Sequence, residues 1–250
     1  MQNMPVAIVE TAPVEIAPFH LQEAAERYRL PEGFGYLDEE APGIRWDAKY
    51  AGSDNFTGAP VDGYEADRVA VSFELASALL EAQRLARDEG LDLLVWDAAR
   101  PQRAVDRFVA WSKESEDGLT KEAHYPNLNK RELIGEYVAR RSGHSRGGAV
   151  DLTLTDAEGE PLDMGGAFDL MDARSHHGAK GLTRAQTKRR ALLRRIMKQA
   201  GFKAYESEWW HYSLKDEPFP GQYFDFAIGE TRPMPATPDG RTADTSPTAE

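Results

Sequence analysis

The clearest structural pattern in the sequence is Ser142-Gly143-His144-Ser145-Arg146-Gly147-Gly148-Ala149-Val150-Asp151-Leu152-Thr153-Leu154. In its second half, large apolar residues alternate with smaller or polar ones, so that Val150, Leu152 and Leu154 share one face. This alternation predicts a half-buried strand, because successive side chains of a strand point to opposite faces of the sheet. The two glycines before the strand allow a tight turn. We therefore predict a turn that leads into a strand over 149–154.

Helices and strands are mixed on both sides of this strand. A helical spacing of apolar residues follows Arg68 and ends near Gly90, Leu91–Trp96 is typical of a buried strand, and Pro101 opens a second helix. The other predicted elements are a short strand over Arg45–Tyr50, a helix over Arg131–Arg140, a basic helix from Thr183 to Ala200, and one or two strands over Phe202–Tyr212. Because these elements do not alternate regularly, they predict an α+β fold with a small, mainly antiparallel central sheet flanked by helices.

Composition excludes several classes of protein. The 250 residues are 41% hydrophobic and 29% charged, which is enough apolar material for a buried core. The formal net charge is −12, whereas nucleic-acid-binding proteins usually carry a basic surface. The sequence contains no window of about 18 consecutive apolar residues, so no membrane span is predicted. The chain has no cysteine, so any metal must be bound by His, Asp or Glu.

The two ends of the chain differ from its middle. Residues 1–20 are weakly patterned and do not resemble a signal peptide, so we expect a cytoplasmic protein. Residues 229–250 contain four prolines and no aromatic residue, and we expect a disordered tail there. Residues 21–228 contain no Ser/Gly linker and no internal repeat, and we expect one continuous domain.

His144 and Asp151 form the first candidate site. The seven-residue step between them would span roughly 23 Å if the chain were extended. Zinc ligands lie only about 2.0–2.2 Å from the metal, so a shared metal requires the chain to fold back at Gly147-Gly148. The alternative is a turn with a capping Asp and a surface His, and the local pattern does not decide between the two.

Glu208 and His211 form the second candidate site, in the segment Glu206-Ser207-Glu208-Trp209-Trp210-His211-Tyr212. Aromatic neighbours raise the pKa of a carboxyl group, which favours a general base near neutral pH. A regular strand would place residues three apart on opposite faces, so we predict a bulge or kink. The alternative is a buried Trp-Trp core strand whose His is only hydrogen-bonded.

Together the two segments supply His, Asp and His as ligands and leave Glu208 free, which is the composition of a catalytic zinc site with an open fourth position. Arg100 follows the predicted Leu91–Trp96 strand and precedes a helix, a position from which it could stabilise the oxyanion of a tetrahedral intermediate. The alternative for Arg100 is a surface salt bridge at the start of that helix.

An ordered set of motifs resembles the zinc D-alanyl-D-alanine dipeptidases of the vancomycin-resistance type, from about Tyr36 to Phe226. The motifs are Arg45-Trp46-Asp47-Ala48-Lys49-Tyr50, Asp54-Asn55-Phe56-Thr57-Gly58, Asp97 to Arg103, Ser142 to Gly147, Ala149 to Leu154, Met171 to His177 and Glu208-Trp209-Trp210-His211-Tyr212. The resemblance implies a single domain with the Hedgehog and D,D-peptidase type of fold. It also implies hydrolysis of D-Ala-D-Ala by water that a zinc ion activates.

The resemblance assigns roles to individual residues. It implies one zinc ion per chain, bound by His144, Asp151 and His211. It implies Glu208 as the general base and Arg100 as the group that stabilises the tetrahedral intermediate. Three further residues fall where the family lines its dipeptide pocket, namely Tyr50, Ser142 and Asp163. Of these, Asp163 is expected to bind the ammonium group of the substrate.

Two alternatives for the function remain at this point. A D,D-carboxypeptidase or endolysin acting on peptidoglycan peptides shares some of the motifs, and a non-catalytic zinc-binding protein would need the ligands alone. The partner expected is a small D,D-dipeptide, with no nucleic acid and no membrane, and the sequence is compatible with any oligomeric state.

Overall fold

A five-stranded mixed sheet forms the centre of the molecule, for which a computed structural model describes residues 26–230. Its strands lie in the order β2-β4-β5-β7-β6, and β1 and β3 form a separate antiparallel pair. The strand bounds are β1 Phe34–Tyr36, β2 Arg45–Trp46, β3 Ala70–Ser72, β4 Asp92–Asp97, β5 Ala149–Thr155, β6 Phe202–Tyr205 and β7 Glu208–Leu214. The β2–β4 pair is parallel and the other three pairs of the central sheet are antiparallel.

The helices are α1 Leu37–Glu40, α2 Phe73–Arg87, α3 Gln102–Trp111, α4 Lys121–His124 and α5 Arg184–Gln199. The sequence predicted α2, α3 and α5, and the structure confirms all three. Thr183 begins α5 with a capping box, in which its hydroxyl accepts from the backbone N–H of Gln186. Gly90 has φ +74 just beyond α2, as expected of the residue that ends a helix.

Strand β5 is more deeply buried than its alternation predicted. All seven of its residues are buried, so the expectation of a half-buried strand is wrong. The face that carries Asp151 and Thr153 is covered because residues after β5 bring Phe168 over Trp96 of the neighbouring strand, with ring centroids 4.8 Å apart. This covered face holds the candidate site.

Two local predictions also need correction. The helix predicted over Arg131–Arg140 is absent: a single 3-10 turn over Lys130–Leu133 is followed by Gly135 at φ +111, a conformation that a helix cannot contain. Residues 135–142 are therefore a loop. The strand predicted from Arg45 ends at Trp46, and Lys49–Ala51 forms a 3-10 turn instead.

The irregularity predicted near Glu208 is confirmed. Between β6 and β7 the register shifts, so that Ala204 lies opposite Tyr212 while Tyr205 lies opposite Glu208. A second register shift in β4, between Val95 and Asp97, occurs just before Arg100. Because bulges redirect side chains, both irregularities bring polar groups toward the same end of the sheet.

The predicted N-terminal extension over 1–20 and residues 231–250 of the predicted tail lie outside the described residues. Near the end of the described part, Ile228 is buried and pairs with Tyr64 in an isolated bridge. Among residues 26–230, no helix is long and apolar enough to cross a membrane.

Candidate active site

Three potential metal ligands converge at one end of the central sheet. His144 begins a 3-10 turn, and Gly147 ends it in the left-handed conformation at φ +68, which folds the chain back into β5. Asp151 of β5 lies directly opposite His211 of β7 in the strand register. The predicted return of the chain at the glycine pair is thus present, and it brings Asp151 next to His144.

The separations among the three donor atoms are short. His211 Nδ1 lies 2.9 Å from Asp151 Oδ1 and 3.1 Å from His144 Nε2, and His144 Nε2 lies 3.3 Å from Asp151 Oδ2. A tetrahedral metal with bonds of about 2.0–2.1 Å keeps its ligand atoms roughly 3.3 Å apart. The three residues therefore fit a small metal ion with little rearrangement. Among residues 26–230 they are the one group of three or more possible metal ligands whose donor atoms lie this close together.

The surroundings of these groups favour the ligand forms. His144 Nδ1 lies 2.7 Å from the carbonyl oxygen of Ala98, which requires an N–H there and leaves Nε2 as the acceptor nitrogen. Burial lowers the pKa of His211 against the opposing effect of Asp151, so its ring is neutral near pH 7. Burial opposes ionisation of Asp151, but the two histidines outweigh it and lower its pKa.

Glu208 lies beside the three residues without joining them. Its Oε2 is 3.9 Å from His211 Nδ1, and its side chain is only 14% exposed. Burial, followed by the negative charges of Asp151 and Asp169, raises its pKa well above the ordinary value. A carboxyl group with a raised pKa next to a metal site can accept a proton from water and release it again.

Arg100 is buried among carboxylates. Its Nε donates to Asp97 Oδ2 at 2.8 Å, and its Nη2 donates to Asp151 Oδ2 at 3.1 Å. The side chain is 13% exposed, and its Cζ lies 5.1 Å from the centre of the Tyr50 ring. The alternative of a surface salt bridge is therefore wrong for this residue.

A cavity of about 220 Å³ adjoins the three candidate ligands. Tyr50 and Ser142, two of the residues expected in the substrate pocket, line it together with Arg100, Glu208 and the candidate ligands. Asp163, the third, is exposed and lines a neighbouring cavity instead. The reason is local: the Asp163 carboxylate accepts from the backbone N–H of Gly165 and from the side-chain amide of Gln186, both at 2.9 Å.

Asp169 takes the place in the cavity that was expected of Asp163. Its Oδ2 accepts a hydrogen bond from the Tyr50 hydroxyl at 2.8 Å. Among residues 26–230, Asp169 is the one non-glycine residue with a positive φ, at +57. Burial, followed by the charge of Asp151, raises its pKa to about 8. A buried carboxyl that accepts from a neutral hydroxyl is suited to receive a cation.

Residues 32–229 match the peptidase M15 family described as D-ala-D-ala dipeptidase. The chain belongs to this family. It is 53% identical over 198 residues to the D-alanyl-D-alanine dipeptidase of Enterococcus faecium and 55% identical over 197 residues to that of Streptomyces coelicolor, in each case covering 78% of this chain and 98% of the relative. The dipeptidase of the same name from Escherichia coli is 35% identical over 173 residues, which cover 69% of this chain and 80% of the relative.

Asp97 and Asp169 are buried polar residues of this M15 chain to which the sequence assigned no role of their own. Asp97 accepts from the Tyr64 hydroxyl at 2.6 Å as well as from Arg100, so it holds the guanidinium in place. The sequence neighbours of both aspartates could have indicated that these residues are buried. Asp97 ends an apolar strand, and Asp169 stands between Phe168 and Leu170. An acidic residue that is buried among apolar neighbours usually has a charged or hydrogen-bonding partner.

Proposed function

We propose that this chain is a zinc peptidase that hydrolyses the dipeptide D-Ala-D-Ala. The observation that carries the proposal is the convergence of His144, Asp151 and His211 at 2.9–3.3 Å beside the largely buried carboxyl group of Glu208, which lies outside this group of three. The substrate is proposed from the relatives that bear this name at 53–55% identity over nearly their whole length.

One zinc ion per chain would be held by His144, Asp151 and His211. When bound, zinc supplies Lewis acidity and lowers the pKa of water to near neutrality. The protein supplies the proton transfers: Glu208 Oε2 accepts the proton of the attacking water and passes it to the nitrogen of the leaving D-alanine. The raised pKa of Glu208 suits this double role, because the carboxyl must both take up and release a proton near pH 7.

Arg100 and Asp169 would contact two different groups of the substrate, the scissile carbonyl oxygen and the ammonium group. Arg100 is held by Asp97 and Asp151, so its remaining N–H donors are fixed in direction and can stabilise the developing negative charge on the carbonyl oxygen. Asp169, with its Tyr50 partner, is proposed to bind the substrate ammonium group in place of Asp163. Ser142 lines the cavity and is proposed as a further substrate contact.

The small cavity supports a free dipeptide as substrate rather than a peptidoglycan strand, which is the substrate of the alternative D,D-carboxypeptidase or endolysin. Glu208 and Arg100 argue against a non-catalytic zinc-binding protein, because a structural site needs its ligands alone. We also propose a cytoplasmic location. The net charge of −12 supports it, since an acidic enzyme is repelled by anionic wall polymers.

Metal analysis combined with a substrate panel tests this function. We expect one zinc per chain, loss of turnover on chelation, and hydrolysis of D-Ala-D-Ala in preference to L-Ala-L-Ala and to a peptidoglycan pentapeptide. Turnover of the pentapeptide at the rate of the dipeptide would favour the carboxypeptidase alternative. Stoichiometric zinc with no turnover of any peptide would favour the non-catalytic one.

A further inference from the structure

Carboxyl groups outnumber arginines among the residues that line the candidate active-site cavity. Four lining carboxyl groups belong to Glu136, Asp151, Asp169 and Glu208. A dipeptide zwitterion, the substrate class of the proposed function on which this inference rests, brings one ammonium group and one carboxylate. The substrate carboxylate is bound most favourably by a cationic side chain, because an ionised carboxylate such as Asp151 repels it.

Arg100 and Arg141 are the two arginines among the lining residues. Arg100 is already engaged by two carboxylates, at 2.8 and 3.1 Å. The ion pairs found within residues 26–230 include none for Arg141, whose side chain is exposed at the cavity. Of the two lining arginines, Arg141 is therefore the one without a carboxylate partner among residues 26–230.

The aromatic ring of Tyr223 supports the guanidinium of Arg141, whose Cζ lies 4.5 Å from the ring centre. A guanidinium that stacks on a ring keeps its N–H donors free in its own plane, where a carboxylate binds. Tyr223 is itself fixed, because its hydroxyl accepts from Arg146 Nη1 at 3.0 Å and Arg146 is paired with Glu217 at 2.7 Å. The support is thus anchored through a second, independent ion pair.

Chain connectivity places Arg141 close to the chemistry. It stands three residues before the candidate ligand His144 and next to Ser142, which also lines the cavity. Asp169 and Arg141 therefore provide a carboxyl group and a guanidinium around one cavity that also contains the candidate metal ligands. This is the charge pattern that a zwitterionic dipeptide requires at its two ends.

We propose that Arg141 binds the terminal carboxylate of the dipeptide and is the residue that selects substrates with a free carboxyl end. Its neighbour Arg140 offers a matched control. Arg140 is also exposed and carries the same charge, but it is not among the cavity residues. Within residues 26–230 its one hydrogen bond is accepted by its backbone carbonyl from Gln102. A general effect of positive charge on an anionic ligand would be the same for both arginines.

The test compares D-Ala-D-Ala with its C-terminal amide, D-alanyl-D-alaninamide, which lacks only the carboxylate charge. Equilibrium binding of both is measured by calorimetry in the zinc-loaded Glu208→Gln protein, which removes the complication of turnover. Arg141→Ala should weaken binding of the acid roughly 10- to 100-fold, the range for a hydrogen bond to a charged group, and leave binding of the amide unchanged. Arg141→Lys should restore part of the loss, because the charge returns without the planar fork.

An acid-to-amide binding ratio that is the same with and without Arg141 would overturn the proposal. So would an equal loss in Arg140→Ala, which is expected to bind both ligands normally. Absence of any acid binding to the parent protein counts against Arg141 as well. Turnover of D-Ala-D-Ala by the wild-type enzyme is measured separately, so that failure of the proposed reaction is distinguished from failure of the assigned contact.

Discussion

Replacing Arg100 by Ala tests the most densely charged part of the active site. The substitution leaves the carboxylates of Asp97 and Asp151, which are 2% and 3% exposed, without the guanidinium that bridges them. Breaking a buried ion pair costs about 3–5 kcal/mol, because an uncompensated charge remains in the interior. At about 2–4 °C per kcal/mol for a domain of this size, Tm should fall by ~6–20 °C. Metal-free protein is used, so that loss of zinc does not contribute.

Arg103→Ala is the matched control for this measurement. Arg103 lies three residues further on, its side chain is 44% exposed, and it pairs with Asp225 at 2.7 Å. Exposed pairs of this kind contribute about 0–1 kcal/mol, so its Tm should change by no more than ~4 °C. Equal shifts in the two variants would refute the assignment of Arg100 to a buried charge network.

The kinetic part of the same experiment separates two roles for Arg100. If its N–H donors stabilise the oxyanion, kcat for D-Ala-D-Ala falls by roughly 10²–10³-fold with KM little changed. Arg100→Lys should recover only part of this loss, since one ammonium group cannot span both carboxylates and the substrate oxygen. A raised KM with unchanged kcat would show that Arg100 binds the ground state, and the oxyanion role would then be abandoned.

Three further outcomes are expected. His144→Ala and His211→Ala should each lose stoichiometric zinc and turnover together, and full retention of both by His211→Ala would place the site elsewhere. Glu208→Ala should keep its zinc while kcat falls by roughly 10²–10⁴-fold or more, since that range is the contribution of a general base. Loss of zinc in this variant would instead show that Glu208 is a metal ligand. Asp169→Asn should raise the Tm of the metal-free protein by an amount that grows from about pH 4 to pH 8 and then levels off. A difference in Tm between the variant and the wild type that does not change with pH would contradict the raised pKa of Asp169.

Local sequence signals were sufficient for those parts of the fold that depend on nearby residues. Helix α5 carries its own capping box, Gly90 supplies the left-handed turn after α2, and the spacing of Glu208 and His211 required the irregularity found in β7. The glycines at 147 and 148 likewise allowed the reversal of the chain that the structure shows between His144 and Asp151. In each case the physical constraint acts over a few residues.

Features that depend on distant segments were not predictable in the same way. The alternation in β5 correctly indicated a strand, but nothing within it reveals that Phe168 and Trp96 cover its second face. A helix was predicted over Arg131–Arg140, whereas Gly135 and the bridge between Ile134 and Val138 produce a loop along the cavity. The covering of β5 is thus a tertiary effect, whereas the loop after Leu133 follows from the backbone conformation of Gly135 itself.

The contrast between Asp163 and Asp169 shows how burial of a carboxyl group in the candidate site destabilises the fold. Asp163 is exposed and held by neighbouring donors, which lower its pKa. Asp169 is buried at φ +57, a conformation that non-glycine residues seldom adopt, and its pKa is raised to about 8. Between the ordinary pKa of about 3.9 and this value, the folded state binds the proton that the unfolded state releases, so ionisation destabilises the fold as the pH rises. Asn tolerates the same backbone conformation and carries no charge, so Asp169→Asn should gain stability while losing the proposed site for the substrate ammonium group.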